Sequence, residues 1–345
     1  MQLSRFLSLV LFTSFWSIGL FAQTLGGNAV YGFLRLPQGA QQSALGGENI
    51  SQITRDISIA ASNPALLRQN MSGQIHAGYH SFLAGISQYN VFTSSYLEKQ
   101  KLNLGIGVHY LDYGSIQQTD MAGNIGGSFR PRDHMIQVAV SKAYKEKWNL
   151  GVSMQWIGAQ MGQFRSSALA WNVGLAFLDT TKGIQFSFLA KNMGFQLQTF
   201  DGVREELPFD VQIGISKKLE LAPIQFSLTA HRLQRWDLLY NDPAFNEQEG
   251  DDRFLNKGLT LQRLLSHMVV STQIYPHEKI ELNIGYNFLR RFDLNAFNQT
   301  NGLNGFTWGA GIILKKLHFR YAASAFQRNL AHQVSFNIPW SNKSL

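Results

Sequence analysis

The chain has 345 residues, 30 basic against 22 acidic side chains for a net charge of +8, and no cysteine, which excludes disulfides, a thiol nucleophile, Cys-ligated zinc and lipoprotein acylation. Its lysines sit in short hydrophilic breaks such as Lys99 to Lys101, Lys145 to Lys147, Lys217-Lys218 and Lys315-Lys316, a scatter that suits solvated turns and lipid phosphates and argues against a nucleic-acid groove. With 12% aromatic residues, 25 Phe, 31 Gly and a mean hydropathy of −0.11, it is too polar for a helical membrane protein and matches the composition of transmembrane β-barrels.

At the N-terminus Arg5 precedes an almost uninterrupted apolar run from Phe6 to Leu20, closing on Gly19-Leu20-Phe21-Ala22. The run is shorter than the roughly 20 residues a spanning helix needs, and small Ala22 suits the position before a cut. Residues 1–22 therefore read as a signal peptide, with the mature chain starting near Gln23. Residues 23–73 follow no strand period. They carry a Gly-rich start, Leu36-Pro37, Gly46-Gly47 and Ser62-Asn63-Pro64-Ala65-Leu66-Leu67.

From Gln74 onward, apolar residues recur at every second position. Leu104, Ile106, Val108 and Tyr110 alternate with Gly105, Gly107 and His109; Trp148, Leu150, Val152, Met154 and Trp156 alternate with Asn149, Gly151, Ser153 and Gln155. Such alternation predicts strands with one greasy and one polar face. About fourteen such segments follow, at 74–84, 87–98, 103–113, 133–143, 147–159, 166–179, 182–193, 208–218, 222–232, 267–275, 278–288, 305–314, 317–326 and 331–338. An even number lets a single chain close antiparallel with no unpaired edge. The predicted class is all-β: a transmembrane antiparallel β-barrel over 74–345, with the N-terminal 23–73 segment folded into or against the lumen as a plug.

Brief turns near 98–101, 144–146, 179–182, 219–222, 276–277 and 315–316 alternate with longer connections at 114–132, 160–165, 194–208, 233–266 and 290–305, which predicts periplasmic turns and extracellular loops. The 233–266 loop holds Trp236, Tyr240 and Phe245, an acidic stretch from Glu247 to Asp252, and an amphipathic pattern over 255–265 that predicts a helix. The acidic stretch lacks the ligand alternation of an EF-hand, so it reads as a solvated loop and no metal or cofactor is expected. The nine histidines are spread over strands and turns, none beside a nucleophile elbow, and no His-Glu-x-x-His occurs. A non-enzymatic protein is expected.

Two motif groups resemble a known family. Val30-Tyr31-Gly32-Phe33-Leu34-Arg35-Leu36-Pro37, Ala44-Leu45-Gly46-Gly47 and Asn63-Pro64-Ala65-Leu66-Leu67, with Gly214-Ile215-Ser216-Lys217-Lys218 and the stretch from Thr229 to Leu238, resemble PorQ-type outer-membrane proteins of the Bacteroidota type IX secretion system. Asn63-Pro64-Ala65 is also shared with the long-chain fatty-acid transporter superfamily, whose fourteen-stranded barrels carry an N-terminal plug. The first resemblance implies a barrel in the outer membrane that anchors a PorZ-like surface protein, with PorU- and PorV-like components of the attachment complex that joins secreted cargo to lipopolysaccharide. On that reading Trp236, Tyr240, Phe245 and Arg253 are the expected partner contacts, because interface cores favour aromatics and arginine. The second implies a channel for hydrophobic small molecules.

Overall fold

The computed structural model describes residues 29–238, 260–294 and 302–340. Residues 1–22, and Tyr240, Phe245 and Arg253, lie outside them. Period two becomes long strands: β1 (Gln74–Ser81), β2 (Ser87–Leu97), β3 (Leu102–Asp112), β4 (Ile116–Thr119), β5 (Ile125–Phe129), β6 (Arg132–Tyr144), β7 (Trp148–Met161), β8 (Phe164–Asp179), β9 (Ile184–Gln198), β10 (Asp210–Lys218), β11 (Ile224–Ala230), β12 (Met268–His277), β13 (Ile280–Asn287), β14 (Phe306–Ile313), β15 (His318–Phe326) and β16 (Asn329–Pro339). All but β4 and β5 form one closed fourteen-stranded barrel, each strand beside its sequence neighbours, with β1 pairing β16 antiparallel from Gln74↔Pro339 to Ser81↔His332. Closure satisfies every edge, as a sheet immersed in lipid requires.

The greasy face points outward. On β7, Trp148, Leu150, Val152, Met154 and Trp156 are exposed while Asn149, Ser153 and Gln155 are buried. This inverts a soluble sandwich, where the apolar set is inside, and is what a lipid-facing wall requires. Aromatic pairs ring both rims. Tyr79, Tyr89 and Tyr110 stack across β1, β2 and β3 at one end, with centroids 5.2 and 6.3 Å apart. Trp148, Phe177 and Phe186 do so across β7, β8 and β9 at the other, 5.0 and 6.4 Å apart. Amphipathic rings prefer the headgroup level, so the two rows mark the edges of an apolar belt.

The polar inner faces do not enclose water alone. Residues 29–73 enter the lumen and fold there into short pieces: 3-10 turns at Gly32–Arg35, Pro64–Leu66 and Gln69–Met71, and helices at Ala40–Ala44 and Ser58–Ser62. The two helices are buried throughout. Asn63, extended at φ −125°, accepts the Ala65 N–H on its side chain, and Pro64 opens the next turn with φ already suited to it. Barrel glycines make the seat. A Cβ on Gly151 of β7 would lie 2.2 Å from the Pro64 carbonyl carbon, and one on Gly285 of β13 would lie 2.3 Å from the Gly46 nitrogen, so only glycine admits the plug backbone at these points.

Several connections differ from their sequence reading. The 160–165 connection is a tight turn: β7 runs to Met161, β8 starts at Phe164, and Gly162 takes φ +60° between them. These strands outrun the tilted crossing length of about ten residues, so their ends stand clear of the rim. The 114–132 loop contains the β4–β5 hairpin, a separate two-stranded sheet. Strand β9 continues to Gln198, and the 290–305 loop opens inside a helix, Phe288–Leu294. The helix expected at 255–265 is present among the described residues as Leu261–Ser266, capped by the Thr260 hydroxyl, which accepts the Arg263 N–H.

Candidate functional site

Two features could carry function: the attachment of the plug to the wall, and the cavities that the plug leaves open at the long-loop rim. Attachment centres on Asp56, which precedes the helix Ser58–Ser62 and accepts the Ser58 N–H at 2.8 Å. The same carboxylate accepts from Asn337 of β16 at 2.7 Å, and its second oxygen lies 3.2 Å from Arg320 Nη1, an ion pair by distance without hydrogen-bond geometry. Arg320 Nε donates to Glu281 of β13 at 2.6 Å, and Gln41 of the plug donates to both Glu281 oxygens at 3.2 Å. His76 of β1 faces the Gln38 carbonyl at 3.1 Å and Asn337 at 2.7 Å. Asp56, Glu281 and Arg320 are all almost wholly buried, so each charge depends on the others.

On the opposite wall Gln137 donates to the Ala61 carbonyl at 2.9 Å, and Asn149 donates to the Ala65 and Leu67 carbonyls at 2.6 and 2.9 Å. Thus Asn63, Pro64 and Ala65 are brought together inside the barrel as a buried, packed joint between plug and β7–β8. Their place is structural in the first instance.

Near the long-loop rim the plug turns apolar. Phe33 packs edge-on against His109 at 5.3 Å and joins Tyr31, Leu34, Leu111, Met135 and Ile157 in a buried cluster. Tyr31 holds a left-handed backbone at φ +57°, rare for a bulky residue, with its hydroxyl bonded to Ser166 of β8. The Val30 N–H donates to Glu206 in the loop after β9. This packing leaves two adjoining cavities that share Gly32 and Tyr113. One, of about 340 Å³, is walled by Phe33, Leu36, Phe82, Ile86, Leu111 and Phe326. The other, of about 610 Å³, is lined by Tyr31, Tyr113, Asp133, Phe164, Phe200 and Glu205 among others.

Trp236 is exposed at the same rim, its ring edge-on to His267 at 5.3 Å. The sequence reading did not single out Asp56, Glu281 or Arg320, although an arginine on an inward position of an apolar strand is an available signal. It also missed Asp133 and Phe326, whose convergence with Tyr113 comes from barrel closure and has no sequence signature. His76, His80, His109, His231 and His267 are buried on the lumen side. No group of three or more His, Asp or Glu arranged to hold a metal ion occurs among the described residues.

No family model matches the chain, and no curated protein matches it. Solved structures do. A deltaS2 mutant of the TodX monoaromatic hydrocarbon channel superposes with a TM-score of 0.52 at 13% identity, covering 89% of this chain and 100% of that one. The CymD monoaromatic hydrocarbon channel gives 0.54 at 12% identity, covering 90% and 99%. A Pseudomonas aeruginosa FadL homologue gives 0.48 at 9%, covering 88% and 98%. At these identities the likeness to the two hydrocarbon channels is one of fold alone. It does not extend to the narrower resemblance to secretion-system barrels.

Proposed function

We propose that this chain is an integral outer-membrane barrel, not an enzyme, that binds hydrophobic small molecules at its long-loop rim and passes them inward. The observation that carries this reading is the apolar cavity between Phe33, Phe82, Leu111 and Phe326, with the plug residues Gly32, Phe33 and Leu36 forming one of its walls. Concave apolar sites with a few convergent polar groups are where small ligands are held, and Phe82 and Phe326 stay half-buried around this one. The fold shared with two monoaromatic hydrocarbon channels supports the same reading. A tag in the 314–317 turn, gentle extraction and mass spectrometry of copurifying lipids and proteins test it. A stoichiometric small hydrophobic molecule supports it; a stoichiometric surface protein with an empty barrel overturns it.

A second reading, an anchor for a PorZ-like surface protein of the type IX attachment complex with PorU- and PorV-like components and lipopolysaccharide nearby, is favoured by one observation. The β4–β5 hairpin stands clear of the barrel with Ile116, Met121 and Ile125 exposed and free strand edges, and Trp236 is exposed on the same rim. Free edges and exposed aromatics suit a protein partner. The same pull-down separates the two readings.

A further inference from the structure

The larger rim cavity has a charge character that a purely hydrocarbon ligand does not use. Among the described residues its lining holds three carboxylates, Asp133, Asp201 and Glu205, and no lysine or arginine. Asp133 is the unusual one. It points inward from β6 and is 7% exposed, and its Oδ2 accepts the Tyr113 hydroxyl at 2.7 Å. Among the described residues no hydrogen bond reaches its other oxygen. The two arginines nearest in sequence do not compensate it, since Arg130 pairs with Asp112 at 2.7 Å and Arg132 is exposed on the outward side of the strand. A carboxylate nine-tenths buried without a cation is costly, and the cost is recovered when one arrives.

The remaining walls suit that cation. Tyr31, Tyr113, Phe164 and Phe200 line the same space, and aromatic rings attract ammonium groups most strongly where water is excluded. The apolar cavity beyond Gly32 and Tyr113 then accommodates an apolar body. We propose that these joined cavities take an amphiphilic amine, its protonated ammonium group against the free oxygen of Asp133 and its hydrocarbon or aryl portion in the chamber between Phe33, Phe82 and Phe326. This rests on the reading that the rim binds hydrophobic small molecules, and narrows the class to cationic ones. Asp133 is a specificity-determining residue here, and Tyr113 orients its carboxylate.

Calorimetric titration of the full chain in detergent with 4-phenylbutylamine, butylbenzene and 4-phenylbutanoate tests it, because the three probes share one apolar body and differ in charge. The amine is expected to bind at least about tenfold more tightly than the other two, the scale of one hydrogen bond to a buried charge. Asp133→Asn is expected to bring the amine down to the level of butylbenzene without changing butylbenzene itself. Tyr113→Phe, which keeps the carboxylate but loses the bond that orients it, is expected to narrow the gap between amine and butylbenzene without closing it. Equal binding of amine and hydrocarbon by the wild-type chain overturns the proposal and leaves the broader reading standing. Failure of all three probes to bind removes both. The wild-type ranking decides the matter even where a variant does not assemble.

Discussion

Arg320 is the residue on which the seating of the plug turns, because it neutralises Asp56 from the plug and Glu281 from the wall at once. Removing one partner of a buried ion set leaves charges that neither water nor protein compensates. Arg320→Gln is therefore expected to lower stability by about 3–5 kcal/mol, read as a fall in the urea midpoint and as new protease cuts around residue 56. Unchanged cutting in the variant would mean that the surrounding Asn337, Gln41 and Ser58 contacts hold the plug without the charge. Gly151 makes the complementary steric argument. Its missing Cβ is what lets Pro64 approach, so Gly151→Ala is expected to cost about 1–3 kcal/mol by overpacking against backbone that cannot rotate aside. The nearest atoms to Gly105 belong to the Phe92 and Leu67 side chains and not to backbone, so Gly105→Ala is the milder control.

Among elements, the β4–β5 hairpin has an order that depends on pH through the carboxylate at its tip. Its tip is an Asp120 turn: the carboxylate accepts the Asn124 side chain at 2.9 Å and the Ala122 and Asn124 N–H groups at 2.9 and 2.8 Å. Those bonds, the Asn124 side chain first, hold the Asp120 carboxyl below its ordinary value of 3.8. A carboxyl depressed by folding contributes order that is complete above its unfolded value and is lost as pH falls through the folded one. Protection of the Ala122 and Asn124 amides, their exchange rate relative to the intrinsic rate at the same pH, is thus expected to be lost below about pH 4 in the wild type, and to be absent at all pH values in Asp120→Ala. Protection that does not change with pH in the wild type would remove the carboxylate from the turn. At this scale the sequence was legible wherever period two is enforced by lipid on one face: each of the fourteen barrel strands lies on a predicted segment. It was not legible at 160–165, where Gln160 and Arg165 look like loop residues but pair in a ladder that continues beyond the apolar belt. The plug was recognisable as a segment without period, but not its joints, since Asp56 and Glu281 converge on Arg320 only when strands far apart in sequence close into one wall.

For the molecule as a whole, a lumen occupied by the plug makes the two steps of the proposed function, capture at the rim and passage inward, separable events. Below the rim cavities the plug is tied to β1, β6, β7, β13 and β16 by hydrogen bonds from His76, Gln137, Asn149 and Asn337 and by the Gln41–Glu281 pair. An apolar molecule cannot cross that polar packing unless part of the plug shifts, and local opening of such a segment is a rearrangement distinct from binding. Ser43 of the plug and Ser324 of β15 offer a way to hold it still: their hydroxyl oxygens are 3.3 Å apart, close enough for a disulfide after Ser43→Cys and Ser324→Cys, and no native cysteine competes. The oxidised double variant is expected to bind 4-phenylbutylamine as the wild type does and to lose its uptake by cells, with uptake restored by a reductant. Loss of binding along with uptake would show that the rim cavities themselves open only when the plug moves. Uptake that persists with the plug locked would place the exit in the barrel wall, and would make the plug a fixed floor that directs a captured molecule sideways into the bilayer.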